Sequence, residues 1–351
     1  VDKKILASKA WEIWDNKVKP QLSLGKLEYV VVDIIMMVEE LYPELGRAKM
    51  ILFGGDHGIV NEKVTSSPQE ITYQQCLNFA YGRGTINHLC RLNSIDLEIV
   101  DVGVNYDFDE DLPIINCKIA KGTKNFLKEK AMSETELQRA LEVGSQRVLA
   151  ALKENRKVVA FGEMGIGNTA SSSALMASVT SISPKLCTGR GSGLTDEMLA
   201  KKIEIIEKAL IFHNKPKDPL KALCAFGGFE IGAIVGSMLE AAKNKMVILV
   251  DGFIASTAAL LATLIEPNTR SYMIFCHESN EDGHSLLLRQ LNAQALLNLS
   301  MCLGEGSGAA IGWSIIKQAM NLYLNLESFE ESNVTDSVAL LKSKGYSKWR
   351  T

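Results

Sequence analysis

Charge imbalance is what this chain most plainly lacks: across 351 residues, 38 Lys+Arg stand against 41 Asp+Glu, a net charge of -3. Nucleic acid and anionic membrane surfaces recruit a basic excess, so neither is the expected partner. The cysteines lack any pairing pattern. The seven are scattered at positions 76, 90, 117, 187, 224, 276 and 302, with no C-x-x-C spacing. That argues against a disulfide framework or a cysteine zinc site and predicts reduced thiols in a cytoplasmic protein. No apolar run is long enough to span a membrane; the longest, Met246 to Ile265, is broken by Asp251 and Gly252. The opening VDKKILASKAWEIW carries charges throughout and no basic-then-apolar leader, and its missing initiator Met reads as a processed start.

Two nucleotide signatures are absent as well. Neither GEMGIGNT nor GRGSG fits G-x-G-x-x-G, and G-x-x-x-x-G-K-[ST] does not occur. A dinucleotide oxidoreductase and a P-loop enzyme are therefore disfavoured. Asp56 and His57 are too few to make a metal site, so no metal is expected.

What is present is an ordinary number of glycines placed unusually. Gly54–Gly58, Gly162–Gly167, Gly189–Gly193, Gly227–Gly232 and Gly304–Gly308 hold three each, fifteen of the 27. Two of them follow the apolar runs ILF and VVAF; these, with MVILV and YMIF, have no polar alternation, the pattern of parallel strands covered on both faces. Amphipathic stretches lie between them: one from about Thr72 to Leu92, one opened by the capping box S-E-T-E at Ser133, one from Thr195 to His213 and one from Glu230 to Asn244. The alternation predicts an α/β fold with a parallel, Rossmann-like sheet flanked by helices. Residues 3–45 and the segments near 308–326 and 333–344 read as helix without strands. They are expected to form a small helical domain, residues 1–45 plus 311–351, beside a large α/β domain over 46–310.

Ligands of open α/β sheets bind outside the carboxyl ends of the strands. Here those ends read Gly54-Gly55-Asp56-His57-Gly58, Asp101-Val102-Gly103, Gly162 to Thr169, Asp251-Gly252 and Cys276-His277-Glu278-Ser279. Glycine admits close backbone approach, and the helix N-termini that follow offer N–H groups to an anion such as phosphate. Lys202, beside Lys201, reads either as a solvated charge or as a counter-charge for phosphate. Glu305, between two glycines, reads either as an exposed turn acid or as a general base with a raised pKa.

Seven motifs in fixed order, GGDHGI, SSPQEIT, DVGV, GEMGIGNT, GGFEI, DGFI and LGEGSGAA, resemble the nicotinate-nucleotide:dimethylbenzimidazole phosphoribosyltransferase family over about Gly54 to Ala310. The resemblance implies transfer of phosphoribose from nicotinate mononucleotide to an aromatic acceptor, with inversion from β to α, without metal or cofactor. It implies Glu305 as catalytic base and Glu163 as a second active-site carboxylate. Ser67, Gln75, Met301 and Leu303 match the acceptor pocket. Gly165, Asn168, Thr169, Gly191, Lys202, Gly252 and Ser279 match the nucleotide and phosphate surroundings. A homodimer is implied, or a heterodimer with a homologous subunit, since relatives that use phenol or p-cresol work as paired chains. Phenolic acceptors and a non-catalytic partner role stand as alternatives. Glu278 and His284, in CHESNEDGH, depart from the expected pattern, and Gly227–Gly232 has no role beyond a turn.

Overall fold

The computed structural model describes residues 2–191 and 193–344. Two compact units share the chain. Leu45–Gly312 form one; residues up to Glu44 together with those from Trp313 onward form the other, so the second boundary falls inside the helix Ser307–Asn325.

The larger unit is built on six parallel strands: β1 (Ala48–Gly55), β2 (Ile95–Gly103), β3 (Ile114–Asn116), β4 (Val158–Met164), β5 (Val247–Val250) and β6 (Met273–Phe275). Their order is β3-β2-β1-β4-β5-β6, with every pairing parallel. Chain direction across the sheet reverses between β1 and β4, and such a switch point opens a crevice at the carboxyl ends. All residues of β1 and β5 are buried, including Lys49 of β1, whose ammonium pairs with Glu98 and Glu154. Flanking helices approach closely where small residues allow it: a Cβ on Gly144 would collide with the Ala233 carbonyl, so helices Glu134–Lys153 and Phe229–Lys243 meet nearly backbone to backbone. The capping box at Ser133 forms, with the Ser133 N–H donating to Glu136 Oε2 at 2.8 Å.

Three departures from the sequence expectation have local causes. The helix read from Thr72 to Leu92 is two, Ile71–Ala80 and Thr85–Asn93, because Gly82 turns the chain at φ +72°. The helix read near 333–344 is shorter, Ser337–Ser343, and a separate turn of helix, Phe329–Ser332, ends before it at Asn333, φ +54°. β3 was not foreseen; its three residues are too few to show a period.

In the smaller unit, helices Lys3–Asn16 and Lys26–Val38 meet the end of Ser307–Asn325. Trp14 packs edge-on to Tyr323 at 5.2 Å, a contact worth about 0.5–1.5 kcal/mol beyond its burial. Lys19 pairs with the fully buried Glu28 at 2.8 Å. No helix among the described residues is long and apolar enough to cross a membrane.

Candidate active site

Three strand ends, one helix and one turn enclose a cavity of about 210 Å³. β4 delivers Glu163 and continues through Gly165 to Asn168 and Thr169. Asp251 and Gly252 follow β5, and His277 and Ser279 follow β6. Helix Ile71–Ala80 presents Gln75, and the segment Cys302–Glu305 supplies Leu303 and Glu305. Gly191 completes this set. Lys202 lines a smaller cavity of about 70 Å³ that shares Gly165, Asn168, Thr169 and Gly191 with the larger one.

Two candidates are not on these walls. Ser67 sits in the loop before the helix that carries Gln75, its N–H bonded to Thr65 Oγ1 at 3.1 Å. Met301 is tied by its carbonyl to the Asn280 N–H at 2.8 Å, and Cys302 and Leu303 form the wall in its place.

Glu305 has an unusual backbone. Gly304, Glu305 and Gly306 all have positive φ, +83°, +63° and +83°. A non-glycine residue there is strained by about 1–2 kcal/mol, a cost that persists only where the surroundings fix it. They do: a Cβ on Gly162 of β4 would lie 2.5 Å from the Glu305 carbonyl oxygen, so this turn lies directly on the strand. The side chain is buried, not an exposed turn acid. Burial pushes its pKa up to about 7; the Ile86 N–H opposes this and the Asp251 carboxylate adds to it. Ile86 lies in the first turn of Thr85–Asn93, so the helix break at Gly82–Gly84 supplies this donor.

Glu163 is held well above the usual carboxylate range, first by burial and then by the carboxylates of Asp251 and Glu230. The Asn168 side-chain amide, which donates to Glu163 Oε2, and the Glu305 N–H pull the other way. Positive charge in the cavity would act in the same sense as these two donors, favouring the ionised form.

Lys202 is 1 % exposed, far from a solvated helix face. Its Nζ donates to Thr169 Oγ1 at 3.0 Å and to the Gly189 carbonyl at 3.1 Å. Burial lowers its pKa to about 8, with the Glu281 carboxylate working against the shift. Close by, Gly167 turns at φ +99° into the helix Asn168–Val179, and Asn168 and Thr169 at its start line the same cavity. A buried cation beside a glycine turn and a helix start is the kind of surrounding that suits an anion.

The two unassigned features acquire structural roles. His284 accepts from the Ser279 N–H at Nδ1 (2.7 Å), so its proton sits on Nε2 and faces Ser256 Oγ at 2.9 Å. Burial, then His277, lowers its pKa to about 3; it is a neutral strut that fixes Ser279. In Gly227–Gly232, a Cβ on Gly228 would strike both His57 and Glu230. The glycine makes room for the buried His57–Glu230 pair, which lies under the Gly165 turn.

Sequence reasoning left Asp251, His277 and Glu281 without roles, although all three line the cavity. Asp251 had a signal, an acid at a strand end. Glu281, whose Oε1 accepts from the Gly191 N–H at 3.1 Å, lay unremarked inside the anomalous CHESNEDGH segment.

A cavity with an anion anchor in one part and a buried carboxylate of raised pKa in another is that of a group-transfer enzyme acting on a phosphorylated substrate. A sequence profile described as phosphoribosyltransferase matches residues 2–334. The chain is 43% identical over 333 residues to the nicotinate-nucleotide–dimethylbenzimidazole phosphoribosyltransferase of Ralstonia nicotianae, covering 94% of each. The enzyme of that name from Photobacterium profundum is 40% identical, with 92% of this chain and 94% of that one covered. Among solved structures, CobT from Thermus thermophilus superposes with a TM-score of 0.91 at 33% identity, over 95% of this chain and 100% of its own. The chain belongs to this phosphoribosyltransferase family.

Proposed function

We propose that this protein moves the 5-phosphoribosyl group of nicotinate mononucleotide onto dimethylbenzimidazole, releasing nicotinate and forming the α-riboside phosphate for the lower ligand of cobalamin. The observation that carries this reading is Glu305, a buried carboxylate with a pKa near 7 on the wall of the cavity that also holds Gln75 and Glu163. A general base works best with a pKa close to the working pH.

The pyridinium of the donor is already cationic, so it departs with the C1′–N electron pair and needs no general acid. One benzimidazole nitrogen attacks C1′ from the opposite face, which inverts the centre. Glu305 takes the proton from the other nitrogen. Positive charge spreads over the ribose ring as the bond breaks, and the carboxylate of Glu163 stabilises it. Lys202, Thr169, Gly191 and the helix start at Asn168 hold the 5′-phosphate, with Gly165, Gly252 and Ser279 beside the nucleotide. The phosphate is thus a handle that places C1′. Gln75 and Leu303 face the acceptor, with Ser67 and Met301 beyond the cavity wall.

Lys202→Ala is expected to raise KM for nicotinate mononucleotide roughly 10- to 100-fold, the value of one charge-assisted hydrogen bond. Steady-state kinetics at saturating acceptor measure it, and an unchanged KM would remove Lys202 from the phosphate site.

The names of the relatives support the benzimidazole over phenol or p-cresol. Initial rates with dimethylbenzimidazole and with phenol at equal concentration test this: the benzimidazole is expected to be the faster acceptor, and a strong preference for phenol would reassign the product. Retention of both Glu163 and Glu305 in the cavity speaks against a non-catalytic partner subunit. We place the reaction in the cytoplasm, consistent with seven free cysteines, and the working unit as a dimer, of identical chains or with a homologous subunit.

A further inference from the structure

We propose that Asp251 is the positioning residue for the catalytic base: its carboxylate clamps the turn that carries Glu305 onto the end of β5. This rests on the reading of Glu305 as the base. Asp251 is 2 % exposed and follows the last residue of β5. Oδ2 accepts from the Gly306 N–H and Oδ1 from the Ala309 N–H, both at 3.1 Å. Both donors belong to the segment that follows Glu305, so each carboxylate oxygen satisfies one backbone group at the start of the helix Ser307–Asn325. The run of three positive-φ residues is otherwise held by its seat on Gly162, by the Glu305 N–H bond to Glu163 and by the Ser307 bonds to the Gly304 carbonyl.

Charge couples the same residue to the chemistry. Asp251 lies among Glu163 from β4, His277 after β6 and the Glu305 turn, with Glu230 beyond Glu163 on the helix Phe229–Lys243. His277 Nε2 is 3.5 Å from Asp251 Oδ1, and its two ring nitrogens make no hydrogen bond among the described residues. Asp251 is one of the charges that raise both Glu163 and Glu305. The clamp therefore also contributes, after burial, to the pH range in which the base is free to act.

Asp251→Asn separates a clamp from a residue that merely fills space. Asparagine keeps the volume but loses the charge and one of the two acceptors. In the pH profile of kcat/KM, the acid limb, expected near pH 7 in the wild type, should move to lower pH by about half a unit or more, because a like charge has gone. Above the limb, kcat should fall roughly 100-fold, as expected for a displaced catalytic group, while KM for nicotinate mononucleotide stays within about threefold. In the Glu305→Gln background the same substitution should cost far less, since the clamp acts through Glu305 and only the charge effect on Glu163 remains. An unmoved limb, or equal losses in both backgrounds, overturns the proposal. A wild-type profile with no limb near pH 7 refutes the base itself instead. Hydrogen exchange on the wild type stands independently of how the variant folds. The amides of Gly306 and Ala309 should be among the slow ones, and rapid exchange there overturns the clamp.

Discussion

Replacing Glu305 by glutamine is expected to lower kcat/KM by about 10³- to 10⁴-fold, toward the upper range for losing a general base. The substitution keeps shape and burial and removes only the capacity to accept a proton. At the same time the variant is expected to be more stable than the wild type above neutrality. The folded carboxyl holds its proton up to about pH 7, whereas in the unfolded chain it is lost near its ordinary value of 4.5. Between those two values the folded state binds more protons, so the contribution of Glu305 to stability falls as pH rises through this window. Glutamine removes that dependence. Denaturant melts should show the variant ahead by about 1–3 kcal/mol at pH 8 and level with the wild type near pH 4. A variant both inactive and less stable at pH 8 would show that the carboxylate is ionised and satisfied in the fold, and so not a poised base.

Gly162→Ala is the second large effect, and it reaches the same residue from below. The new methyl carbon would stand 2.5 Å from the Glu305 carbonyl oxygen, 2.8 Å from its carbon and 3.2 Å from the Gly306 nitrogen. All three are backbone atoms, so no rotamer change relieves the clash. Either β4 bends or the Glu305 turn lifts. Overpacking of this kind costs about 1–3 kcal/mol. The lift displaces the base, and displacements on the scale of 1 Å cost about 100-fold in rate. On the proposed reading, nicotinate mononucleotide is held by Lys202 and the Gly165–Thr169 turn, which the methyl does not touch, so KM should hold while kcat falls. A kcat within twofold of the wild type, in a folded variant, would mean that the turn does not need its seat on Gly162.

How far the sequence could be read follows from the range of the forces involved. Buried parallel strands are continuous apolar runs, so β1, β2, β4, β5 and β6 and the residues after them were visible, and with them the sheet class. The break at Gly82–Gly84 was not, because an isolated glycine is tolerated within a helical pattern and only the folded chain shows which one turns. Yet that break supplies the Ile86 N–H that opposes the rise of the Glu305 pKa. The role of Asp251 was equally hidden: its partners Gly306 and Ala309 lie 55 and 58 residues further along the chain. The same holds for Gly228, whose meaning depends on a contact between His57 and Glu230, 173 residues apart. Local pattern marks where chemistry gathers at strand ends. Which acid clamps and which one reacts is decided by contacts across the sheet.

The most direct test uses the purified chain alone, with nicotinate mononucleotide and dimethylbenzimidazole at pH 8, followed by proton NMR. The account predicts one nicotinate released per riboside phosphate formed, with the anomeric proton of the product in the α configuration. No nicotinate release, release without acceptor consumption, or a β product would contradict it.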